Sequence, residues 1–281
     1  MRAFNGANMD LLLLLKAAAI GVVEGLTEFL PVSSTGHIIL AESLLGFNDA
    51  RGKLFAIVIQ SGAIFALVWE YRSKIAQTLL GLFSERSAQR FTINLIVAFL
   101  PLAILGLLFQ KTIKAHLFNA PVVAAAFILG GLIILWVEHA KLQVRVREAE
   151  DVSLSDAFKL GIAQAFALIP GMSRSGSTII GGLLFGLSRR AATEFSFFLA
   201  IPTLLIASVY QLYKERELVV LDEWSLWAVG FAAAFLSAFV AVRGFLHYVS
   251  THSFALFAWY RIAFGILVLI TWRLDLISWA D

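Results

Sequence analysis

The fold is decided by residues 21–38, GVVEGLTEFLPVSSTGHI, which have a counterpart at residues 161–178, GIAQAFALIPGMSRSGST. The two stretches align without a gap at an offset of 140 positions, with three identities in 18 positions. Each interrupts an apolar segment with proline, glycine and a group of hydroxyl side chains. In a membrane, irregular polar backbone is tolerated only where protein buries it or where it borders a wet cavity. Two such breaks at corresponding positions therefore predict a site where the breaks meet.

The composition is that of a membrane protein. Of the 281 residues, 60% are hydrophobic and 15% are charged, and the mean hydropathy is +0.85, whereas a soluble chain carries roughly 25% charged residues. The net charge of +3 comes without a basic cluster interleaved with exposed aromatic residues, which argues against nucleic acid as a partner. Lysine and arginine facing anionic membrane lipids account for the charge better. The chain has no cysteine, which excludes disulfide bonds and thiolate metal sites.

The apolar segments fall into two sets of three continuous crossings, each set preceded by one broken segment. The predicted crossings are residues 54–70, 92–109, 120–138, 194–213, 225–242 and 254–273. The broken segments, 11–45 and 158–187, each predict two short helices of one to three turns around a Pro/Gly/Ser loop. Because helices of that length cannot span a bilayer alone, each pair predicts a re-entrant hairpin that enters and leaves on one side.

The predicted fold class is an all-α integral membrane protein forming a single membrane domain, 1–281. Residues 1–140 form a first repeat and residues 141–281 a second, each a re-entrant hairpin followed by three crossings. An odd number of crossings per half turns the second half upside down, which is the inverted-repeat arrangement. Counting basic residues near the membrane gives eleven on the side of connector 71–90 and nine on the other. The excess of positive charge faces the cytoplasm, so both termini are expected outside.

The first break carries the carboxylates Glu24 and Glu28. At positions i and i+4 of a helix they share one face, with their Cβ atoms about 5–6 Å apart. An ionisable residue inside a membrane segment is costly and points to function. The pair suits either a divalent cation held by both carboxylates or a general base with a charged neighbour.

Four polar residues follow Pro31 in the same break. Ser33, Ser34 and Thr35 form a hydroxyl loop, and His37 opens the next short helix. Taken singly, a serine or threonine here is a helix N-cap and the histidine a hydrogen-bonded structural residue. Together with the carboxylates they predict a catalytic cluster.

The second break supplies a cation in place of carboxylates. Arg174 lies among Ser173, Ser175 and Thr178, before a helix expected to begin near Ile179. A guanidinium beside the free N–H groups of a helix start suits phosphate oxygens. A structural bridge from Arg174 to Glu24 or Glu28 is the alternative, and the two interpretations are compatible.

The strings EGLTEFLPVSSTGH and PGMSRSGST resemble the two signature motifs of the bacterial undecaprenyl-diphosphate phosphatase family, also known as the bacitracin-resistance proteins. The resemblance extends over nearly the whole chain. It implies a multi-pass protein of the bacterial inner membrane that hydrolyses the terminal phosphate of undecaprenyl diphosphate. The monophosphate carrier is thereby recycled for peptidoglycan synthesis, and the cell gains bacitracin resistance. The active site is expected to face the periplasmic or outer side.

The resemblance also implies roles for single residues. It implies dependence on a divalent cation, Mg²⁺ or Ca²⁺, for which the carboxylates Glu24 and Glu28 are the expected ligands. The residues predicted to be catalytic are Glu24, Glu28, Ser34, His37 and Arg174. The implied phosphate-binding residues are Ser33, Thr35, Ser173, Arg174, Ser175 and Thr178. The substrate partner is a polyprenyl diphosphate lipid, and both a monomer and a homo-oligomer are compatible with the sequence.

Two mechanisms and two functions stay open at this point. Either Ser34 attacks phosphorus, with His37 or Glu28 accepting its proton, or the same base activates a water molecule. The same inverted repeats and polar breaks would also suit a secondary transporter or a lipid flippase. The membrane phosphatases that use a phosphohistidine are disfavoured, because no His–Asp pair follows the second break.

Overall fold

The structure is a computed structural model that describes residues 3–47, 50–140, 142–216, 224–277 and 279. The described residues form eleven α-helices and no β-strand. The helices are α1 (Ala3–Thr27), α2 (Ser34–Leu45), α3 (Ala50–Glu70), α4 (Arg72–Gly81), α5 (Arg86–Leu117), α6 (Ala120–His139), α7 (Leu154–Ala165), α8 (Arg174–Leu184), α9 (Arg189–Lys214), α10 (Trp224–Thr251) and α11 (Ala255–Arg273).

Five helices of the described chain are each long and apolar enough to cross a membrane, namely α5, α6, α9, α10 and α11. Helix α3 reaches that standard together with α4, from which it is bent by 74°. All six predicted crossings therefore lie in helices, and the chain is a multi-pass membrane protein. Leucines on the outside of α5, such as Leu107 and Leu108, are 69% and 70% exposed, as lipid-facing side chains are.

Helix α4 occupies the segment expected to be a polar connector, 71–90. The connector is thus partly helical, and its large apolar side chains Leu79, Leu80 and Phe83 are exposed. A short helix that leaves the direction of α3 by 74° and exposes leucine and phenylalanine suits the membrane–water interface, where apolar groups enter the headgroup region.

Three of the four helices in the two broken segments have the expected length. Helices α2, α7 and α8 have 12, 12 and 11 residues, which is about three turns each. The expectation is wrong for α1, which has 25 residues, about seven turns. The physical reason is that the leucine run before Lys16 continues the helix toward the N-terminus. Lys16 Nζ donates a 2.6 Å hydrogen bond to the Leu45 carbonyl and so ties the far end of α2 to α1.

Each hairpin packs against a helix from the other half of the chain, α1 against α10 and α7 against α5. Glycine permits the close approach in both places. A Cβ on Gly21 would lie 2.4 Å from the Gly230 carbonyl oxygen, and one on Gly161 would lie 2.7 Å from the Ala98 carbonyl oxygen. Both distances are below van der Waals contact, so any larger residue would push the hairpin outward. Between the hairpins, α3 packs on α9 and α6 packs on α11.

Candidate functional site

The two breaks meet inside the helix bundle, as the sequence predicts. Ser175 Oγ in the second break donates a 2.7 Å hydrogen bond to the Leu30 carbonyl in the first. Arg174 Nη2 lies 3.2 Å from Glu28 Oε1, and both side chains are at least nine-tenths buried. Two pairs of residues that are separated by 145 and 146 positions in the sequence are therefore in direct contact.

Both loops enter their second helix through a serine in the same rare conformation. Ser33 has φ 68° and ψ 104°, and Ser173 has φ 70° and ψ 118°. A non-glycine residue in a sparsely populated region costs of order 1 kcal/mol or more, and such strain is concentrated at functional sites. Ser173 accepts a 3.0 Å hydrogen bond from the N–H of Gly176, whereas Ser33 makes no capping bond with its side chain.

The second helix of each hairpin begins earlier than expected. Helix α8 begins at Arg174 and not near Ile179, and α2 begins at Ser34 and not at His37. The positive φ of each preceding serine redirects the chain and allows the helix to start at once. Ser34 and Arg174 are consequently the first residues of their helices, where backbone N–H groups lack partners within the helix.

The Glu28 carboxylate bonds to Ser34 and to Arg174, the first residues of α2 and α8. Ser34 Oγ donates a 2.5 Å hydrogen bond to Glu28 Oε2, and Arg174 donates to the other carboxylate oxygen. Glu24 lies one turn earlier on α1, and the N–H of Glu28, the first residue after that helix, donates to the Glu24 carbonyl at 2.9 Å. Glu24 is 4% exposed and its carboxylate has no hydrogen bond within the described chain.

His37 contacts the backbone and not Ser34. Its Nδ1 lies 2.7 Å from the Ser33 carbonyl oxygen, and its Nε2 lies 2.6 Å from Tyr260 Oη. Because a carbonyl can only accept, we assign the proton to Nδ1, and Nε2 then accepts from the tyrosine hydroxyl. The ring of Phe264 stacks on the imidazole with 4.1 Å between centroids. Of the two proton acceptors considered for Ser34, Glu28 is the one that is hydrogen-bonded to it.

A small polar cavity of about 140 Å³ lies where the loops meet. Its polar lining consists of Glu28, Ser33, Ser34, Thr35, Gln60, Ser173 and Arg174. The hydroxyls of Ser33 and Thr35 form no hydrogen bond with the described chain, and Arg174 Nε is a buried donor without a partner there. Buried donors are normally satisfied, so Arg174 Nε points to a polar ligand in the cavity, which the Ser33 and Thr35 hydroxyls also line.

Ser175 and Thr178 lie outside the cavity lining and hold the second loop in place. Ser175 reaches the first loop, and Thr178 Oγ1 bonds to the carbonyls of Arg174 and Ser175. Thr178 Oγ1 also lies 2.5 Å from Ser196 Oγ on α9, while Arg174 Nη1 donates to the Ser196 carbonyl at 3.2 Å. Helix α9 therefore fixes the orientation of the guanidinium.

Sequence reasoning missed four residues of the site and its surroundings, Gln60, Ser196, Tyr260 and Arg261. Gln60 and Arg261 are polar residues inside predicted crossings, so the argument from intramembrane polarity that singled out Glu24 would have found both. Tyr260 and Ser196 carry no such signal, because tyrosine and serine are common in membrane helices.

The donor set allows a divalent cation only with help from the substrate. The described residues contain no group of three or more His, Cys, Asp or Glu side chains placed to hold a metal ion. Mg²⁺ commonly uses one or two carboxylates together with substrate phosphates and water. Glu28, which lines the cavity, and Glu24, which lies one turn behind it and outside the lining, fit that mode.

The fold and the site define an all-helical integral membrane protein with a polar cavity where its two broken segments meet. Residues 17–267 match the family described as Bacitracin resistance protein BacA. An undecaprenyl-diphosphatase of Dechloromonas aromatica is 66% identical over 272 residues, covering 97% of this chain and 99% of that protein. Proteins of the same name from Nitrosospira multiformis and Methylococcus capsulatus are 58% and 61% identical, covering 97% and 94% of this chain and 100% and 97% of theirs. The chain belongs to the bacitracin resistance protein family.

Proposed function

We propose that this protein is an undecaprenyl-diphosphatase, which hydrolyses undecaprenyl diphosphate to undecaprenyl phosphate and inorganic phosphate. The observation that carries the proposal is the chain of contacts from Ser34 through Glu28 to Arg174 at the polar cavity. It places a hydroxyl and a guanidinium on the two oxygens of one carboxylate, the hydroxyl's proton acceptor in this proposal. The names of the relatives agree with this activity.

In the proposed reaction the cavity receives the terminal phosphate. The Nε of Arg174 and the hydroxyls of Ser33 and Thr35, which are free of partners in the described chain, bind its oxygens. Phosphoryl transfer depends mainly on positioning and electrostatic stabilisation, which a buried guanidinium provides. Ser173 lines the same cavity, whereas Ser175 and Thr178 act by holding the loop.

Two routes for the chemical step use the same base. In the first, Glu28 takes the proton of Ser34, whose oxygen attacks the terminal phosphorus. The bridging P–O bond then breaks, undecaprenyl phosphate leaves, and water hydrolyses the phosphoserine to release phosphate. In the second, Glu28 deprotonates a water molecule that attacks phosphorus directly. In both, His37 bonds to the Ser33 carbonyl and thereby orients the loop that carries Ser34.

We propose that a divalent cation binds at Glu24 and Glu28 together with the diphosphate. When bound, it would neutralise phosphate charge that Arg174 alone does not balance. Glu24 on α1 and Glu28 just after it would supply the carboxylate ligands, and phosphate oxygens and water would supply the others.

Purified protein in detergent is expected to release phosphate from undecaprenyl diphosphate without any gradient or sealed vesicle. A transporter or flippase needs two compartments and would release none. Addition of EDTA is expected to abolish the release, and excess Mg²⁺ or Ca²⁺ to restore it. Activity that is unaffected by the chelator would remove the cation from the proposal while leaving the hydrolase intact.

We also propose that residues 1–140 and 141–281 are inverted repeats. Aligned residues share structural roles, since Ser33 and Ser173 have the same backbone conformation. Gly21 and Gly161 both permit a hairpin to approach a helix of the opposite half. Helices α3 and α9, which contain the first predicted crossing of each half, pack on each other, and so do α6 and α11, which contain the third. A two-fold axis between the repeats requires such pairing of equivalent helices.

Reporter fusions are expected to place the connector 71–90 in the cytoplasm and both termini outside. A fusion at Ala88 should give a cytoplasmic signal, and a fusion after residue 281 a periplasmic one, because the basic residues are more numerous on the side of Ala88. The reverse pair of signals would overturn this orientation and place the hairpin loops on the opposite side of the inner membrane.

A further inference from the structure

The largest fully buried side chain of the described residues is Arg261 on α11, which is 1% exposed. No carboxylate in the described part of the chain pairs with it. A charged group inside a membrane protein is costly unless it is compensated. Its hydrogen bonds here all go to backbone carbonyls, and its Cζ lies over the Phe127 ring, 5.4 Å from the centroid. The position of the carbonyls indicates what the arginine does.

The guanidinium binds both loops of the site at once. Nη1 donates to the Pro31 carbonyl at 3.2 Å, and Nη2 donates to the Gly171 carbonyl at 3.0 Å. The remaining bonds go to the Ala126 and Phe127 carbonyls of α6 at 3.0 and 3.4 Å. Arg261 therefore anchors the two loops to the α6–α11 pair.

The two loop carbonyls occupy equivalent positions in the two breaks. Residue 31 aligns with residue 171 at the offset of 140, and each lies two residues before the serine with positive φ. Ser34 and Arg174 follow those serines directly. The guanidinium thus sets the separation between the loop that carries the attacking group and the loop that carries the phosphate-binding cation.

A glycine on α6 provides the space for this arrangement. A Cβ on Gly130 would lie 2.1 Å from Arg261 Nη2 and 2.7 Å from its Cζ. Even alanine at this position would displace the guanidinium. The observed position of Arg261 therefore requires glycine at residue 130. Substitution of Gly130 should move the guanidinium while Arg261 itself stays in the chain.

We propose that Arg261 is a positioning residue that clamps the two loops in register for catalysis. It rests on the phosphatase activity proposed above, which the wild-type protein must show first. The guanidinium does not line the cavity, so it acts on the reaction through the backbone of both loops. A planar fork with several donors can hold two loops and a helix together, whereas a lysine ammonium cannot.

The test measures kcat and KM for phosphate release by Arg261→Lys and Gly130→Ala. Both are expected to lower kcat by about 10²-fold, the cost of a misplacement of order 1 Å, with KM little changed because the groups that line the cavity remain. In the Lys background, Gly130→Ala is expected to cause no further loss, because the Nη2 group with which its Cβ collides is gone. Gly244→Ala, where an added Cβ meets nothing within 4 Å, and Arg216→Lys, at an exposed residue just after α9, are the matched controls.

Several results would overturn the clamp. Wild-type kcat in either single variant would do so, as would independent losses that multiply in the double variant. Misfolded protein is measured by size-exclusion chromatography and melting temperature. If the decrease in kcat equals the misfolded fraction, Arg261 contributes only to general stability. Failure of both single variants to fold would lead to the same conclusion. Absence of phosphate release by the wild type would instead refute the proposed function.

Discussion

Arg174→Lys is expected to lower kcat/KM by about 10²-fold or more, the loss seen when one transition-state donor is removed. Arg174 donates through its two Nη groups to Glu28 and Ser196, and its Nε, which has no partner in the described chain, is the group that we propose binds the phosphate. Lysine has a single ammonium and lacks that geometry. Arg174→Ala is expected to cost at least as much, and phosphate release from undecaprenyl diphosphate is the measurement.

The matched control for this variant is Arg243→Lys. Arg243 pairs with Glu70 at 2.7 Å, away from the cavity, and its replacement should leave kcat/KM unchanged. If Arg174 served only as a structural bridge to Glu28, lysine would largely restore activity. Alanine would then lower the melting temperature by leaving a buried carboxylate unpaired. Full activity of Arg174→Lys would refute the role in phosphate binding.

Glu28→Gln is expected to abolish most turnover, by about 10²–10⁴-fold, the range contributed by a general base. The amide can still accept the Ser34 hydrogen bond, so the local geometry is kept while the basic group is lost. Glu24→Gln is expected to lower kcat less, because an amide oxygen can still coordinate a cation. Steady-state kinetics on both variants, with the cation concentration varied, provide the measurement.

Glu70→Gln is the control for the carboxylate variants, since Glu70 also pairs with an arginine but lies outside the cavity. The Glu28 and Glu24 variants should elute and melt as folded protein. Near wild-type turnover in the Glu24→Gln, Glu28→Gln double variant would reduce the pair to a structural role and leave the reaction without its base.

The sequence identified the breaks and their chemistry because those signals are local. Proline, glycine and hydroxyl side chains interrupt an apolar run over a few residues, and an intramembrane glutamate or arginine stands out against lipid-compatible neighbours. The spacing of Glu24 and Glu28 on one helix face follows from helical geometry alone. Hydropathy likewise predicted all six crossings, since burial in lipid is a property of each segment by itself.

Local signals were insufficient for the helix ends. The start of α8 at Arg174 depends on the positive φ of Ser173, which serine adopts rarely and only where the surrounding fold compensates the strain. The length of α1 was underestimated because segment 11–45 was interpreted as two short helices, whereas α1 is continuous over Ala3–Thr27 and its Lys16 side chain bonds to the Leu45 carbonyl. Both outcomes depend on contacts with other parts of the chain.

By itself, the sequence determined that this is a membrane protein with a carboxylate pair in one break and an arginine in the other. Tertiary structure alone decided that Glu28 lies between Ser34 and Arg174, that His37 bonds to the backbone and Tyr260, and that Arg261 bonds to a carbonyl of each loop. These contacts join residues up to 230 positions apart. They exist because glycines let helices approach to backbone distance, and such packing depends on both partners and is not encoded in the periodicity of either one.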